Sequence, residues 1–176
     1  MPARLLGVRV RILIGLTMLA ASCATVTPPA ADLQFALQMI PHHELGLRMA
    51  TIAVVRANDV RVRELGFEMQ NYQSRELATL KKIAASRAGD GHVHPVGMLT
   101  EAEEAELTVA AGADFDRLWL HQMTRHHQGA VEMARHEVDT GRRTDVRAIA
   151  QEIITVQTKQ IDEMRSADIG LTAAVS

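Results

Sequence analysis

The sequence predicts an all-α protein, namely a four-helix bundle of two repeated αα-hairpins that are joined by a long connector with a short helix. The first observation is an internal repeat, because a shift of 84 positions superimposes His42-His43 on His126-His127 and Asp32 on Asp116. The second is composition. Aromatic residues are 3% of the 176 residues, so the core must consist of aliphatic residues and methionine, which suit helices better than a sheet sandwich. The third is that apolar residues recur every three or four positions in both repeats.

Each repeat contains two long helical segments that are separated by a short break. The predicted helices run over residues 32–56, 60–85, 116–138 and 145–165, with breaks at Asn58-Asp59 and at residues 140–143. Asp32 and Asp116 stand at the start of the first helix of each repeat, where an aspartate is a favourable N-cap. Pro41 lies inside the first helix and is expected to kink it, because a proline ring excludes the hydrogen bond to the carbonyl four residues earlier.

The connector between the repeats spans residues 86–115. Residues 89–95 have the glycine, proline and polar composition of a loop. Thr100 and Glu103 form a capping box that opens a short helix, which is expected to end near Gly112. The duplicated bundle is therefore predicted to occupy residues 32–165, and residues 166–176, which show no clear pattern, are predicted to form a flexible tail.

The N-terminus has the features of a bacterial lipoprotein signal. Three arginines precede an uncharged apolar stretch at residues 12–21, which is short for a membrane span, and small residues then lead to Cys23. Residues 1–22 are thus predicted to be a signal peptide, Cys23 the lipidation site and residues 23–31 a tether. The protein is then secreted across the cytoplasmic membrane and anchored in the cell envelope. The alternative is ordinary secretion with an incidental cysteine.

Charge and cysteine content exclude several classes of function. Residues 1–22 hold three of the 19 basic residues and none of the 21 acidic ones, so the rest of the chain has a net charge of about −5. This acidity argues against nucleic acid as a partner. The chain has one cysteine, and if that cysteine carries a lipid, neither a disulfide nor a thiolate metal site can form.

The repeated histidine pairs, each flanked by methionines, are the candidate metal ligands. Imidazole and thioether together suit a soft, late transition metal, above all copper. The candidate ligands are Met39, His42, His43, Met49, Met123, His126, His127 and Met133. If the first helices of the two repeats run parallel, equivalent residues lie at equal heights and form a Met39/Met123 layer, a histidine layer and a Met49/Met133 layer. Within each pair, one histidine is expected to face the bundle centre squarely.

Polar residues on the second helix of each repeat are expected to support these ligands. Folding each hairpin about its break places Gln73 and Gln157 near the histidine layer, and Glu68 and Glu152 near the Met49/Met133 layer. In the connector, His92, His94 and Met98 are candidates for an accessory metal site, the alternative being that they are ordinary solvated loop residues.

Two other interpretations of the histidines compete with a histidine–methionine metal site. In the first, the histidines form a purely structural polar layer and hydrogen-bond to Gln73, Gln157 or Glu76. In the second, the bundle is a di-iron carboxylate enzyme, which requires four inward carboxylates including two Glu-x-x-His pairs. The sequence contains no such pairs, and neither a nucleophile elbow nor a phosphate loop is visible in it. We therefore expect that the protein is not an enzyme.

The doubled motif resembles the signature of the domain-of-unknown-function family 305 (DUF305). That signature is an acidic residue, an aromatic residue, and then Met-x2-His-His-x2-Ala/Gly-x2-Met-Ala. The matching residues are Asp32, Phe35, Met39, His42, His43, Met49 and Ala50, then Asp116, Trp119, Met123, His126, His127, Ala130, Met133 and Ala134. The resemblance implies a ferritin-like, secreted bacterial bundle, and some members of the family bind copper. At position 46 the sequence has glycine, whereas alanine is the more usual of the two residues in the signature.

The residues and the resemblance together predict an extracytoplasmic copper-binding protein that prefers Cu(I). Such a protein buffers copper or exchanges it with donor or acceptor proteins, and it contacts the membrane through its lipid anchor. The alternative from another class is a metal-free interaction or scaffold domain of the cell envelope, with a structural histidine layer.

Overall fold

The computed structural model describes residues 30–85 and 95–173. These residues form five helices: α1 (Ala30–Arg56), α2 (Val60–Ala85), α3 (Glu101–Val109), α4 (Gly112–Thr140) and α5 (Thr144–Ala173). The four long helices make an all-α bundle, as predicted. The predicted signal peptide, Cys23, His92 and His94 lie outside the described residues. Within the described part of the chain, no helix combines the length and the apolar character needed to cross a membrane.

The two hairpins meet through their first helices. α1 packs most extensively against α2, and α4 against α5, while α1 and α4 pack against each other across the centre of the bundle. α2 and α5 have fewer contacts with each other, and the short α3 lies against α4. The residues of α1 and α4 are therefore the ones that form the middle of the molecule.

Hydrogen bonds from two aspartates show that α1 and α4 run antiparallel. Asp32, near the start of α1, accepts hydrogen bonds from the backbone N–H groups of Arg142 (3.1 Å) and Arg143 (2.8 Å), just after the end of α4. Asp116, near the start of α4, accepts them from Asn58 (2.9 Å) and Asp59 (2.8 Å), just after the end of α1. The expectation of parallel first helices is wrong.

The same bonds correct the predicted role of the two aspartates. α1 begins at Ala30 and α4 at Gly112, so Asp32 and Asp116 lie inside their helices and do not cap them. Each is fully buried and satisfies backbone N–H groups in the turn of the other hairpin. An unpaired N–H group at the start of a helix is costly when it is shielded from water. The aspartates therefore hold the two repeats together.

The end of the chain also differs from the prediction. α5 continues through residue 173, and Ala167 and Leu171 are buried in the apolar core. The expectation of a flexible tail from residue 166 is therefore wrong as far as residue 173, and residues 174–176 lie outside the described residues. α1 is one helix through Pro41, and α3 opens with the predicted capping box of Thr100 and Glu103.

The core has two separate apolar clusters. One contains Met49 and Met123 together with Phe115 and Trp119. The other contains Met39 and Met133 together with Phe35. An antiparallel crossing of α1 and α4 produces this pairing, because residues before the midpoint of one helix lie beside residues after the midpoint of the other. The expected Met39/Met123 and Met49/Met133 layers are therefore wrong.

The hydrogen bonds that Asp116 accepts from the turn between α1 and α2 generate the first prediction. We expect Asp116→Ala to lower the free energy of unfolding by about 1–3 kcal/mol, because the N–H groups of Asn58 and Asp59 lose a charged acceptor. The matched control is Asp114→Ala on the same helix, whose side chain is 83% exposed and whose removal should cost less than about 0.5 kcal/mol. Urea unfolding monitored by circular dichroism measures both, and equal effects of the two substitutions would contradict the capping role.

Candidate metal centre

Two histidines stack on each other where α1 crosses α4. The rings of His42 and His126 lie 3.7 Å apart between centroids with an interplanar angle of 14°. The other members of the pairs, His43 and His127, lie to either side, with ring centroids 6.3 Å and 6.2 Å from their sequence neighbours. All four rings are fully buried. The expectation that one histidine of each pair faces the centre is too simple, because the crossing helices enclose both.

The two outer histidines are each held by the second helix of their own repeat. His43 Nε2 lies 2.8 Å from Glu76 Oε2, and His127 Nε2 lies 3.0 Å from Gln160 Oε1. Glu76 and Gln160 are equivalent positions under the 84-residue shift. Glu76 was among the expected partners, whereas Gln160 was missed, although the repeat itself could have indicated it.

The connector closes the centre on the side of His126. The Gly97 carbonyl accepts a hydrogen bond from His126 Nδ1 at 3.3 Å, and Gly97 has the positive φ of 81° that favours glycine. A Cβ atom at Gly129 would overlap the Val96 carbonyl, so this glycine allows the connector to approach α4 closely. The equivalent residue in the first repeat is Leu45, which is buried in the core. The described end of the connector therefore contacts the second histidine pair through His126.

An ion pair holds α3 against the same face of α4. Arg125 donates a hydrogen bond to Glu103 at 2.5 Å, and the Gln122 amide donates to the Glu103 backbone carbonyl at 3.2 Å. The Arg125 guanidinium lowers the pKa of Glu103 to about 2. Gln122, Arg125, His126 and Gly129 thus form one helical stripe that holds the connector in place.

Many buried polar atoms at the centre have no hydrogen-bond partner. Both ring nitrogens of His42 are unpaired, as are both amide atoms of Gln73 and of Gln157. Each of the other three histidines keeps one unpaired ring nitrogen: Nδ1 of His43, Nε2 of His126 and Nδ1 of His127. Buried polar atoms are nearly always paired, so this concentration is the kind of arrangement that a ligand would satisfy.

Burial keeps the central rings neutral. The pKa of His42 is well below 6.5, first because the ring is buried and second because His126 lies beside it. Burial likewise holds the pKa of His126 well below its usual value, with His127 as the next cause. Burial lowers the pKa of His127 to about 4. Neutral imidazole is the form that binds metal, so these rings need not lose a proton at neutral pH.

The four candidate methionines are buried, but on two sides of the histidines. Met49 and Met123 belong to one apolar cluster, and Met39 and Met133 to the other. The first cluster also holds Met69 and Met164, which are fully buried and were missed, because their repeat equivalents are Ile153 and Leu80. One half of the bundle is therefore richer in thioether sulfur than the other.

The expected supporting residues divide into two groups. Gln73 and Gln157 are buried on α2 and α5, and the Gln73 amide fills the space that a Cβ atom at Gly46 would occupy. Glu68 is partly exposed and accepts a long hydrogen bond of 3.4 Å from Gln160 Nε2, so it reaches His127 indirectly. The prediction for Glu152 is wrong, because its side chain is exposed to solvent.

The structure describes one of the three residues of the predicted accessory site, which stays a prediction. Met98 is half-buried and packs against the apolar cluster that contains Trp119, while His92 and His94 lie outside the described residues. Among the described residues, no three His, Cys, Asp or Glu side chains are grouped closely enough to chelate an ion.

The stacked rings limit how a metal could bind. The nitrogen lone pairs of imidazole lie in the ring plane, so two nearly parallel rings 3.7 Å apart cannot both point at one ion about 2 Å from each nitrogen. Rotation of at least one ring would be required. The donor set nevertheless fits a soft metal ion, because it combines unpaired imidazole nitrogens with nearby buried thioethers.

Residues 32–167 match the profile of DUF305, a domain of unknown function. The chain belongs to the DUF305 family. This confirms the resemblance that the doubled motif indicated, and the matched range covers both repeats and the connector. A comparison with functionally curated proteins gives no match.

Solved structures share the fold. A DUF305 protein from Streptomyces coelicolor, assigned as secreted, is 24% identical with a TM-score of 0.75, and the alignment covers 81% of this chain and 94% of that one. A DUF305 fragment from Deinococcus radiodurans is 28% identical with a TM-score of 0.72, covering 80% and 96%. CopM in its Cu(II)-bound form is 26% identical with a TM-score of 0.67, covering 79% and 96%. CopM structures also exist in Cu(I)-bound and Ag-bound forms.

The lowered histidine pKa values generate the second prediction. A histidine whose pKa is about 6.5 in the unfolded chain and about 4 in the fold stabilises the fold above pH 6.5, and this stability is lost as the pH falls toward 4. As the pH falls from 7 to 5, the protonation of His127 alone should lower the free energy of unfolding by about 2 kcal/mol. Urea unfolding at a series of pH values measures the effect.

This experiment requires a background in which Glu137 is replaced, because its titration has the opposite effect on stability. Burial and a hydrogen bond to Asp32 raise the pKa of Glu137 to about 7, so Glu137 stabilises the fold as the pH falls. The measurement is therefore made in a Glu137→Gln background. His127→Gln should reduce the pH dependence, and His121→Gln, at an exposed position of α4, should leave it unchanged. A stability that stays flat from pH 7 to 5 in this background would refute the prediction.

Proposed function

We propose that the protein binds copper, preferably as Cu(I), at the buried histidine–methionine centre and buffers it or passes it to another protein. The observation that carries the proposal is the group of unpaired, buried ring nitrogens on His42, His43, His126 and His127. The copper-bound and silver-bound structures of CopM, which has the same fold, support it.

The chemistry of the donors supports a soft, singly charged ion. Imidazole and thioether are uncharged, and Cu(I) accepts both. Thioethers flank the histidines on both sides, in the clusters of Met39 and Met133 and of Met49 and Met123. Hard divalent ions prefer oxygen donors, and among the described residues Glu76 is the one carboxylate that hydrogen-bonds to a ring of this centre, so oxygen donors are scarce here.

The N-terminal sequence supports a location outside the cytoplasm for this activity. The basic and apolar N-terminus that leads to Cys23 supports secretion and anchoring in the cell envelope through a lipid. At such a location the protein would meet copper before that metal enters the cytoplasm, which suits a buffering or transfer role.

Competition titration tests the proposal and constitutes the third prediction. The purified protein is titrated anaerobically with Cu(I) against a chromophoric chelator. We expect the combined substitution of Met39→Leu, Met123→Leu, His42→Gln and His126→Gln to lower the affinity at least tenfold, which is about 1.4 kcal/mol. The control is His121→Gln with His136→Gln, since both residues are exposed on α4. Equal affinities of the wild-type protein and the quadruple variant would refute the proposal.

A metal-free scaffold with a structural histidine layer is the second candidate. The hydrogen bonds from His43 to Glu76, from His127 to Gln160 and from His126 to the Gly97 carbonyl favour it. Such a layer could specify how the repeats pair without any ion. The unpaired nitrogens of His42 weigh against it, because a purely structural layer gains nothing from them.

The response of the melting temperature to Cu(I) separates the two candidates and is the fourth prediction. Without metal, His127→Ala should cost about 1–3 kcal/mol in either case, because Gln160 loses its partner. If the layer binds metal, Cu(I) should raise the melting temperature of the wild-type protein, and His127→Ala should abolish that rise. If the layer is purely structural, Cu(I) should leave the melting temperature of both proteins unchanged. Differential scanning calorimetry with and without Cu(I) distinguishes these results, and His121→Ala serves as the exposed control.

A further inference from the structure

The two histidine pairs differ in the group that holds the outer ring. In the first repeat the group is a carboxylate, Glu76, which is 4% exposed and lies 2.8 Å from His43 Nε2. In the second repeat the equivalent group is an amide, Gln160, 3.0 Å from His127 Nε2. The two positions are equivalent under the 84-residue shift, so the exchange of glutamate for glutamine is a chemical difference between two matched ring partners.

The carboxylate fixes the proton of His43. An ionised carboxylate can only accept hydrogen bonds, so beside an ionised Glu76 the His43 Nε2–H is the donor to Glu76 Oε2. The remaining ring nitrogen, Nδ1, is buried and has no hydrogen-bond partner. In the neutral ring, Nδ1 therefore holds a lone pair that is available to a metal ion.

The proton of His127 is less firmly placed. Gln160 Oε1 accepts from Nε2, and the Gln160 amide group is oriented by a 3.4 Å hydrogen bond to the partly exposed Glu68. A neutral amide is a weaker acceptor than a carboxylate, so Gln160 holds the ring proton of His127 on Nε2 less firmly than Glu76 holds that of His43.

We propose that Glu76 is a positioning residue that holds His43 as the Nε2–H tautomer and presents Nδ1 to the metal. The first-repeat histidine pair then binds the ion more tightly than the second, because a carboxylate acceptor makes the imidazole a stronger donor. This inference rests on the proposed copper-binding function. It adds that the duplicated repeats supply two unequal half-sites, each half-site being one histidine pair, with the stronger one in the first repeat.

Nuclear magnetic resonance of the metal-free protein tests the tautomer directly. Long-range ¹H–¹⁵N spectra of the full chain distinguish a protonated ring nitrogen from one with a lone pair. We expect His43 to be a single Nε2–H tautomer in the wild-type protein and a mixture in Glu76→Gln. Gln160→Glu should convert His127 to a single Nε2–H tautomer. A wild-type His43 protonated on Nδ1, or a His43 spectrum that Glu76→Gln leaves unchanged, would overturn the proposal.

Anaerobic Cu(I) titration against a chelator tests the effect on binding. The titration should show a tighter and a weaker Cu(I)-binding step, which the proposal attributes to the first and the second histidine pair. Glu76→Gln should lower the affinity of the tighter step about 10- to 100-fold. Gln160→Glu should raise the affinity of the weaker step. The matched control is Glu152→Gln, an exposed carboxylate at the edge of the same surface groove as Glu76, which should change neither. Equal affinities of Glu76→Gln and Glu152→Gln would overturn the proposal.

The two experiments separate this inference from the proposed function. If the wild-type protein binds no Cu(I), the copper function fails and the half-site inference fails with it, while the tautomer spectra still decide the role of Glu76 at His43. If the protein binds Cu(I) but Glu76→Gln has no effect, the copper function stands and the positioning role is wrong. Gln160→Glu provides the same test in the second repeat should Glu76→Gln disturb folding.

Discussion

The contact of His42 with His126, at the antiparallel crossing of α1 and α4, is the constraint on which the rest of the structure depends. At this contact, equivalent residues of the two repeats lie face to face. Elsewhere along α1 and α4, equivalent residues lie apart because the two helices are antiparallel. The methionine clusters therefore combine early residues of one helix with late residues of the other. Burial at this crossing also keeps the two central rings neutral.

The helices could be predicted from sequence because their signals are local. Apolar spacing indicated the four long helices, and the break at Asn58-Asp59 and the capping box of Thr100 with Glu103 appear as expected. The boundaries of α4 and α5 were less predictable. α4 begins at Gly112, before Asp116, and α5 extends to Ala173 because Ala167 and Leu171 are buried by the other helices, which is a tertiary effect.

The pairing of the repeats could not be predicted in the same way. Residues three and four apart share a helix face whichever direction the neighbouring helix runs, so the spacing of Met39 and His42 fits parallel and antiparallel helices equally. The direction is determined by long-range bonds, such as those from Asp32 to the α4–α5 turn. The residues that hydrogen-bond to the outer rings could be predicted in part, since the repeat relates Gln160 to Glu76. The exposure of Glu152 could not be predicted, because it depends on how the hairpins pack.

The reciprocal aspartates have a consequence for how the molecule is assembled. Asp32 binds the turn of the second hairpin, and Asp116 binds the turn of the first. This is the geometry of an isologous dimer, in which the same surface of each subunit contacts its copy around a two-fold axis. The connector joins two such subunits into one chain. That linkage frees each half to change independently, so a residue such as Glu76 can occur once in the molecule, whereas a true homodimer would contain it twice.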